Sequence, residues 1–175
     1  MDVADRLSLD RLVWIPAGSP PHKAGTAITA PGTRLAMVRA AASTDPRFEV
    51  STLELDRPGA SFTVDTVRAL RRERPEAELY LILGADQLVV FDTWRDPEEI
   101  VGHVRLAVID RDGESAADVA RCLPAGSDAV VVPVRRIDVS STEVRSRVRL
   151  GKEITGLVPD RVRTIIERER LYSEA

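Results

Sequence analysis

Cysteine is almost missing from this chain. Cys122 stands alone among 175 residues, so no disulfide can close within the chain and no metal cluster can rest on thiolates. That fits a reducing compartment. Histidine is nearly as scarce: His22 and His103 lie far apart, and no histidine pair shares a helix or a loop. A Walker loop, a nucleophile elbow and a metal-ligand cluster are all lacking, so no protein-built metal site is expected. No apolar run approaches the length of a membrane span. The opening stretch "MDVADRLSLD" has neither a basic start nor an apolar core, and it does not read as a secretion signal. A soluble cytoplasmic protein with no membrane partner is the expectation. No internal repeat and no interdomain linker are visible, which leaves one domain over residues 1–175 as the simplest organisation. A chain of this length buries roughly 70% of its unfolded surface and needs no covalent staples.

What is present begins with charge. The net charge is −3, from 25 basic and 28 acidic residues, which argues against a general nucleic-acid binder. The distribution is uneven. Residues 135–152 carry six basic side chains (135, 136, 145, 147, 149 and 152) against Asp138 and Glu143, a local +4. Such a stretch is either a solvated face or a place for a small phosphate-rich ligand.

Four short apolar runs read as buried strands: "LVWI" (12–15), "LYLIL" (79–83), "LAVI" (106–109) and "AVVV" (129–132). None alternates strictly with polar residues, as expected of strands covered on both faces. "RFEVSTLEL" (47–55) adds one strand or two short ones. Helical spacing connects Leu35, Val38 and Ala42. It connects Val64, Val67 and Leu70, then Val119 with Leu123, Val144 with Val148, and Val162 with Ile165 and Ile166. Strands alternating with helices imply right-handed crossovers and a doubly wound, parallel α/β sheet. The longest loop is 16–32, a length that in compact domains usually carries function or disorder.

Ligands of such sheets bind beyond the carboxyl ends of the strands. "PAGSPPHK" follows the first run, "GADQ" the second, and "PVRRIDVSSTEVR" the last. In "SSTEVRSR" (140–147), Ser140 and Glu143 fit a capping box. Free N–H groups and the positive end of the dipole would then face a ligand. Ser141 and Thr142 add hydroxyls, and Arg145, one turn on, can fork onto phosphate oxygens. A capping box alone marks an ordinary helix; the added hydroxyls and arginine after a buried strand point to phosphate. In "GADQ", Gly84 admits close approach to the backbone and Asp86 could accept hydrogen bonds from ribose hydroxyls. Taken alone, the same residues read as a helix start with an early acid. Trp94, in the polar turn "FDTWRDP", either stacks on a flat ring or lids the next helix. His22 and Lys23 ride on the long loop, where a histidine is more often just solvated. "SFTVDT" (61–66) crowds hydroxyls at the mouth of a helix.

These pieces, in this order, resemble the nicotinate-nucleotide adenylyltransferase family. The likeness runs from about Leu9 to Tyr172 through "PAGSPPHK", "RLAMVRAA", "RFEVSTLELDRPGASFTVDT", "ELYLILGADQL", "TWRDPEEI", "DVSSTEVRSRV" and "LVPDRVRTIIERERLY". "SSTEVR" is shared across nucleotidyltransferases of this Rossmann-like fold, whereas "SFTVDT" with "GADQ" and "TW" is far more selective. The resemblance implies transfer of AMP from ATP to nicotinate mononucleotide, giving deamido-NAD and pyrophosphate in NAD biosynthesis. It implies that Thr63 and its neighbours, Asp65 included, hold the nicotinate carboxylate, and that Trp94 stacks on the pyridine ring. Lys23 would lie near the phosphates, Gly84 and Asp86 near ribose. Ser141, Thr142 and Arg145 would grip the ATP phosphates, with Mg2+ bound through those phosphates. The partners implied are these two small molecules, with no nucleic acid and no membrane; a homo-oligomer is admitted but not required.

The same resemblance places an opening strand, a Gly-Gly-Thr-Phe-Asp-Pro-type loop and a His-x-Gly-His motif before residue 1. "MDVADRLSLD" then reads as the end of the helix after that motif, and Met1 as an internal methionine. Without the central strand, the sheet is expected to fall into two halves, and without the histidines the catalytic residues are unassigned and activity is expected to be impaired. Losing one comparable transition-state donor costs about 10²–10³ in rate. Two other readings stand beside the enzyme: a non-catalytic nucleotide-binding relative, and another adenylyl- or cytidylyltransferase of the same fold. "SFTVDT" and "TW" argue against the last.

Overall fold

The computed structural model describes residues 1–19, 29–110, 123 and 126–173. Two compact units can be traced, each built from two stretches of chain. The first comprises Met1–Asp10 and Ala60–Arg136, the second Arg11–Gly59 and Ile137–Ala175.

In the first unit, α1 (Asp2–Arg6) precedes α3 (Thr63–Glu73), β3 (Tyr80–Gly84), the short α4 (Ala85–Leu88), α5 (Pro97–His103), β4 (Arg105–Asp110) and β5 (Ala129–Pro133). The three strands form a parallel sheet in the order β3-β4-β5, with Leu81 opposite Leu106 and Leu106 opposite Ala129. Side chains alternate across the sheet, as the pleat requires. Leu83, Leu106 and Val108 pack with Val64 and Val67 of α3, Phe91, and Ile100 of α5. Ala107 and Val132 point the other way, onto Val3 of α1. β4 is therefore buried on both faces, which explains why its sequence is a continuous apolar run rather than an alternating one. Phe91, Ile100 and Leu106 are fully buried. Each such side chain contributes about 1.5–3 kcal/mol by leaving water, so this core, not the exposed ion pairs around it, holds the unit.

In the second unit, β1 (Leu12–Trp14) and β2 (Phe48–Val50) pair in parallel, Leu12 opposite Phe48 and Trp14 opposite Val50. The stretch 47–55 thus supplies one short strand, followed by turns. α2 (Pro31–Ala42) starts on a proline at its first position, where the missing N–H costs nothing. It packs with α6 (Ser141–Arg149) and α7 (Asp160–Arg168) around Val144, Ile154, Val162 and Ile166. Met37, Ala40 and Ala41 of α2 close that core. Arg34 donates to the carbonyls of Ala17, Gly18 and Thr29. The Thr29 hydroxyl in turn donates to the Tyr172 hydroxyl at 3.0 Å, and that of Thr33 to Glu169 at 3.0 Å.

The α/β class with parallel strands and flanking helices is the one expected. The strands divide into two hydrogen-bonded sets, β1-β2 and β3-β4-β5. The helix expected around Val119 lies outside the described residues. Among the described residues no helix is long and apolar enough to cross a membrane.

Candidate nucleotide and pyridine site

α4 and α5 lie between β3 and the parallel β4, and polar residues gather where the strand gives way to helix and at the mouth of the preceding α3. The mouth of α3 comes first in the chain. Its N-cap residue is Phe62, whose ring offers no acceptor for the first N–H groups of the helix. Thr63 and Asp65, both half-buried, occupy the first turn. Thr66 is buried, and its hydroxyl donates back to the Phe62 carbonyl at 3.4 Å. Asp65 accepts a 2.9 Å ion pair from Arg68, one turn further on.

The Trp94 turn lies against this mouth. Arg95 sets its guanidinium 4.7 Å over the Phe62 ring. Trp94 packs on Phe91, ring centroids 5.0 Å apart and planes inclined by 35°. The two sequence readings of Trp94 were a stacking ring and a lid; the ring is half-buried, so one side serves the core. Asp96 follows in the left-handed region, φ 49°, as the N-cap residue of α5, without a side-chain cap hydrogen bond. Arg68 forks onto Glu99 of α5 and lies 3.7 Å from Asp96. Glu99 sits below the usual carboxylate range because Arg68 donates to it.

Gly84 and Asp86 sit at the end of β3. A Cβ on Gly84 would collide with the Asp86 Oδ1 atom. The space that sequence reasoning assigned to an approaching ligand is thus held by the Asp86 carboxylate, which folds back over the glycine. Asp86 itself is exposed, and its Oδ2 accepts from Gln87 at 3.1 Å.

In the second unit, Ser140 Oγ accepts from the Glu143 N–H at 3.0 Å, one arm of the expected capping box. Ser141, Thr142 and Arg145 are exposed on the first turns of α6. Arg145 donates to the Thr142 hydroxyl at 3.3 Å. Val144 is buried and Val148 packs beside it, which fixes the polar face outward. Lys23 and His22 lie outside the described residues. Thr63 and Asp65 share the first turn of α3, and Trp94 packs on the same core as Phe62, the N-cap residue of that helix; sequence reasoning assigned all three to the pyridine end. It missed Arg68 and Arg95. The spacing of Asp65 and Arg68 on one helix face was legible; the reach of Arg68 to Glu99 was not.

A parallel α/β core with polar helix mouths, one of them a capped serine-threonine-arginine turn, is the layout of a nucleotidyltransferase. The chain matches the cytidylyltransferase-like family over residues 1–147. A protein of Gemmatimonas aurantiaca named "Probable nicotinate-nucleotide adenylyltransferase" is 42% identical over 177 residues, covering 99% of this chain and 83% of its own. One of Geobacter sulfurreducens with the same name is 37% identical, covering 98% and 88%. The solved Plasmodium falciparum nicotinic acid mononucleotide adenylyltransferase, complexed with NaAD, superimposes with a TM-score of 0.77 over 97% of this chain and 88% of that one. At 16% identity that likeness speaks to the fold alone. The chain belongs to the nicotinate-nucleotide adenylyltransferase family.

Proposed function

We propose that this protein transfers the AMP part of ATP to nicotinate mononucleotide, forming deamido-NAD and pyrophosphate. A phosphate oxygen of the mononucleotide attacks the α-phosphorus of ATP, and the bond from that phosphorus to the pyrophosphate oxygen breaks. Such a displacement needs alignment and charge stabilisation rather than a covalent nucleophile. The observation that carries the reading is the mouth of α3: a helix start with no side-chain acceptor at its N-cap residue, hydroxyl-rich, beside a half-exposed tryptophan. Helix-start N–H groups favour an anion such as a pyridine carboxylate. A tryptophan face suits the ring that bears it.

Thr63 would donate its hydroxyl to that carboxylate, and Trp94 would stack on the ring. Asp65 would hold this arrangement through its pairing with Arg68. Gly84 and Asp86 would serve a ribose, with the exposed carboxylate as acceptor. Ser141, Thr142 and Arg145 would take the ATP phosphates: two hydroxyls, a helix start and a guanidinium suit phosphate oxygens. They are donors for an anion, not a carboxylate set for a cation, so Mg2+ would arrive on the ATP and supply charge neutralisation there. Lys23 remains part of the proposal from its motif alone. Work in the cytoplasm, where ATP is plentiful, belongs to the same reading.

The test is titration calorimetry of the purified protein with nicotinate mononucleotide and ATP, and with phosphopantetheine and CTP as rivals. Binding of the first pair with the rivals silent is the expected outcome, with deamido-NAD as the product of any turnover. Preference for phosphopantetheine or CTP would overturn the reading.

A further inference from the structure

Arg68 lies between the two pieces proposed to hold the pyridine ring, and neither its motif nor the family name gives it a task. Its guanidinium pairs with Asp65 on α3 and forks onto Glu99 on α5, with Asp96 within 3.7 Å. One side of that fork is in the first turn of α3; the other is in the first turn of α5, directly after the Trp94 turn. A planar guanidinium fixes the relative placement of two carboxylates in a way a single ammonium cannot. Asp96 sits at φ 49°, in the left-handed region that aspartate adopts more readily than most non-glycine residues. Arg68 and Arg95 both lie 3.7 Å from its carboxylate. Asp65 raises a second point. An unpaired carboxylate in the first turn of α3 would repel an anion arriving at that turn, and Arg68 offsets its charge.

We propose that Arg68 is a positioning residue for the pyridine-carboxylate substrate: it clamps the mouth of α3 to the Trp94 turn and neutralises Asp65 there. The inference rests on the function proposed above and names the side chain that sets the spacing of its acidic-ring subsite.

The experiment uses the full chain carrying Trp14→Phe, which leaves Trp94 as the sole tryptophan of the two. Arg68→Ala, Arg68→Lys and Glu99→Gln are compared with that parent by titration with nicotinate mononucleotide and ATP, by Trp94 emission, and by melting temperature. Arg68→Ala is expected to weaken nicotinate mononucleotide roughly three- to thirtyfold, the range of couplings carried by residues off the ligand. ATP affinity should stay within about twofold, and Trp94 emission should shift to the red. Arg68→Lys should recover part of the loss, and Glu99→Gln should show a smaller loss of the same pattern. Unchanged mononucleotide affinity in folded Arg68→Ala overturns the proposal. So does an equal loss for both ligands with a lower melting temperature, which marks a merely structural residue. If Arg68→Ala does not fold, Glu99→Gln decides on the same two readouts. A parent that binds ATP but not nicotinate mononucleotide overturns the underlying function instead, and this inference with it.

Discussion

The Asp86 carboxylate occupies the place where a Gly84 side chain would begin. The glycine backbone itself is ordinary, φ −77° and ψ 157°, so alanine meets no dihedral strain there. What alanine meets is the tip of Asp86. Gly84→Ala should therefore fold with little loss of melting temperature while driving that carboxylate off its seat. A charge-assisted hydrogen bond is worth about 1.5–3 kcal/mol, so Asp86→Ala should weaken nucleotide binding roughly tenfold or more. Gly84→Ala should approach the same value, and the double variant should be no worse than Asp86→Ala alone. Additive losses in calorimetry would show that the two residues act separately.

Trp94 faces two ways, and its substitutions should separate them. Trp94→Ala removes the packing on Phe91 and the proposed ring stack together. It should lower the melting temperature and weaken nicotinate mononucleotide by about 1 kcal/mol, near the low end for aromatic stacking on a base. Trp94→Phe keeps the packing and should restore most of the stability with part of the affinity. A folded Trp94→Ala with unaltered mononucleotide affinity would take the ring out of the site.

Arg145 donates to the Thr142 hydroxyl and stands exposed. Arg145→Ala should leave the melting temperature nearly unchanged. It should weaken ATP about ten- to a hundredfold, as expected for one charge-assisted phosphate contact. Nicotinate mononucleotide should barely respond. Ser140→Ala is the contrasting variant: losing the cap costs stability by about 1 kcal/mol and acts on ATP only through the helix start. Equal effects of the two on ATP would point to helix integrity rather than to the guanidinium.

Acid should weaken the second unit through Asp45. This buried carboxylate accepts from the Arg47 guanidinium and from the Arg47 backbone N–H, which hold its pKa down at about 2. A depressed pKa stabilises the fold above the unfolded value near 4 and loses that contribution as pH falls through about 2. Melting temperature against pH should therefore fall more steeply between about 4 and 2 for the parent than for Asp45→Asn. At neutral pH Asp45→Asn should melt lower. Parallel curves for the two would remove Asp45 from the acid response.

The apolar runs of β3, β4 and β5 were legible because strands covered on both faces need no alternation. The cap of α6 was legible because Ser140 and Glu143 are three residues apart and local chemistry settles the bond. The contacts that shape the pyridine end were not. Arg68 meets Glu99 across 31 residues, and nothing in either neighbourhood marks the other as its partner. Arg95 looks like a surface charge until Phe62 arrives beneath it. Gly84 showed a need for space, but the sequence could not tell a ligand from the protein's own Asp86. Arg34 passed as one more helix residue, although it ties Ala17 and Gly18 to Thr29.

The packing of α2 on α7 sets a timetable for the chain as it leaves the ribosome. Ser43, just after α2, accepts a hydrogen bond from Arg161, which lies 118 residues later. At about 5–20 residues per second, the partner helix arrives roughly 6–24 s after α2 has been made. For that interval Met37, Ala40 and Ala41 have no Val162 or Ile166 to cover them. The second unit can close only after the whole of Ala60–Arg136 has been translated, so the first unit has the opportunity to settle earlier. Slower translation lengthens the interval over which that apolar face waits for its partner helix.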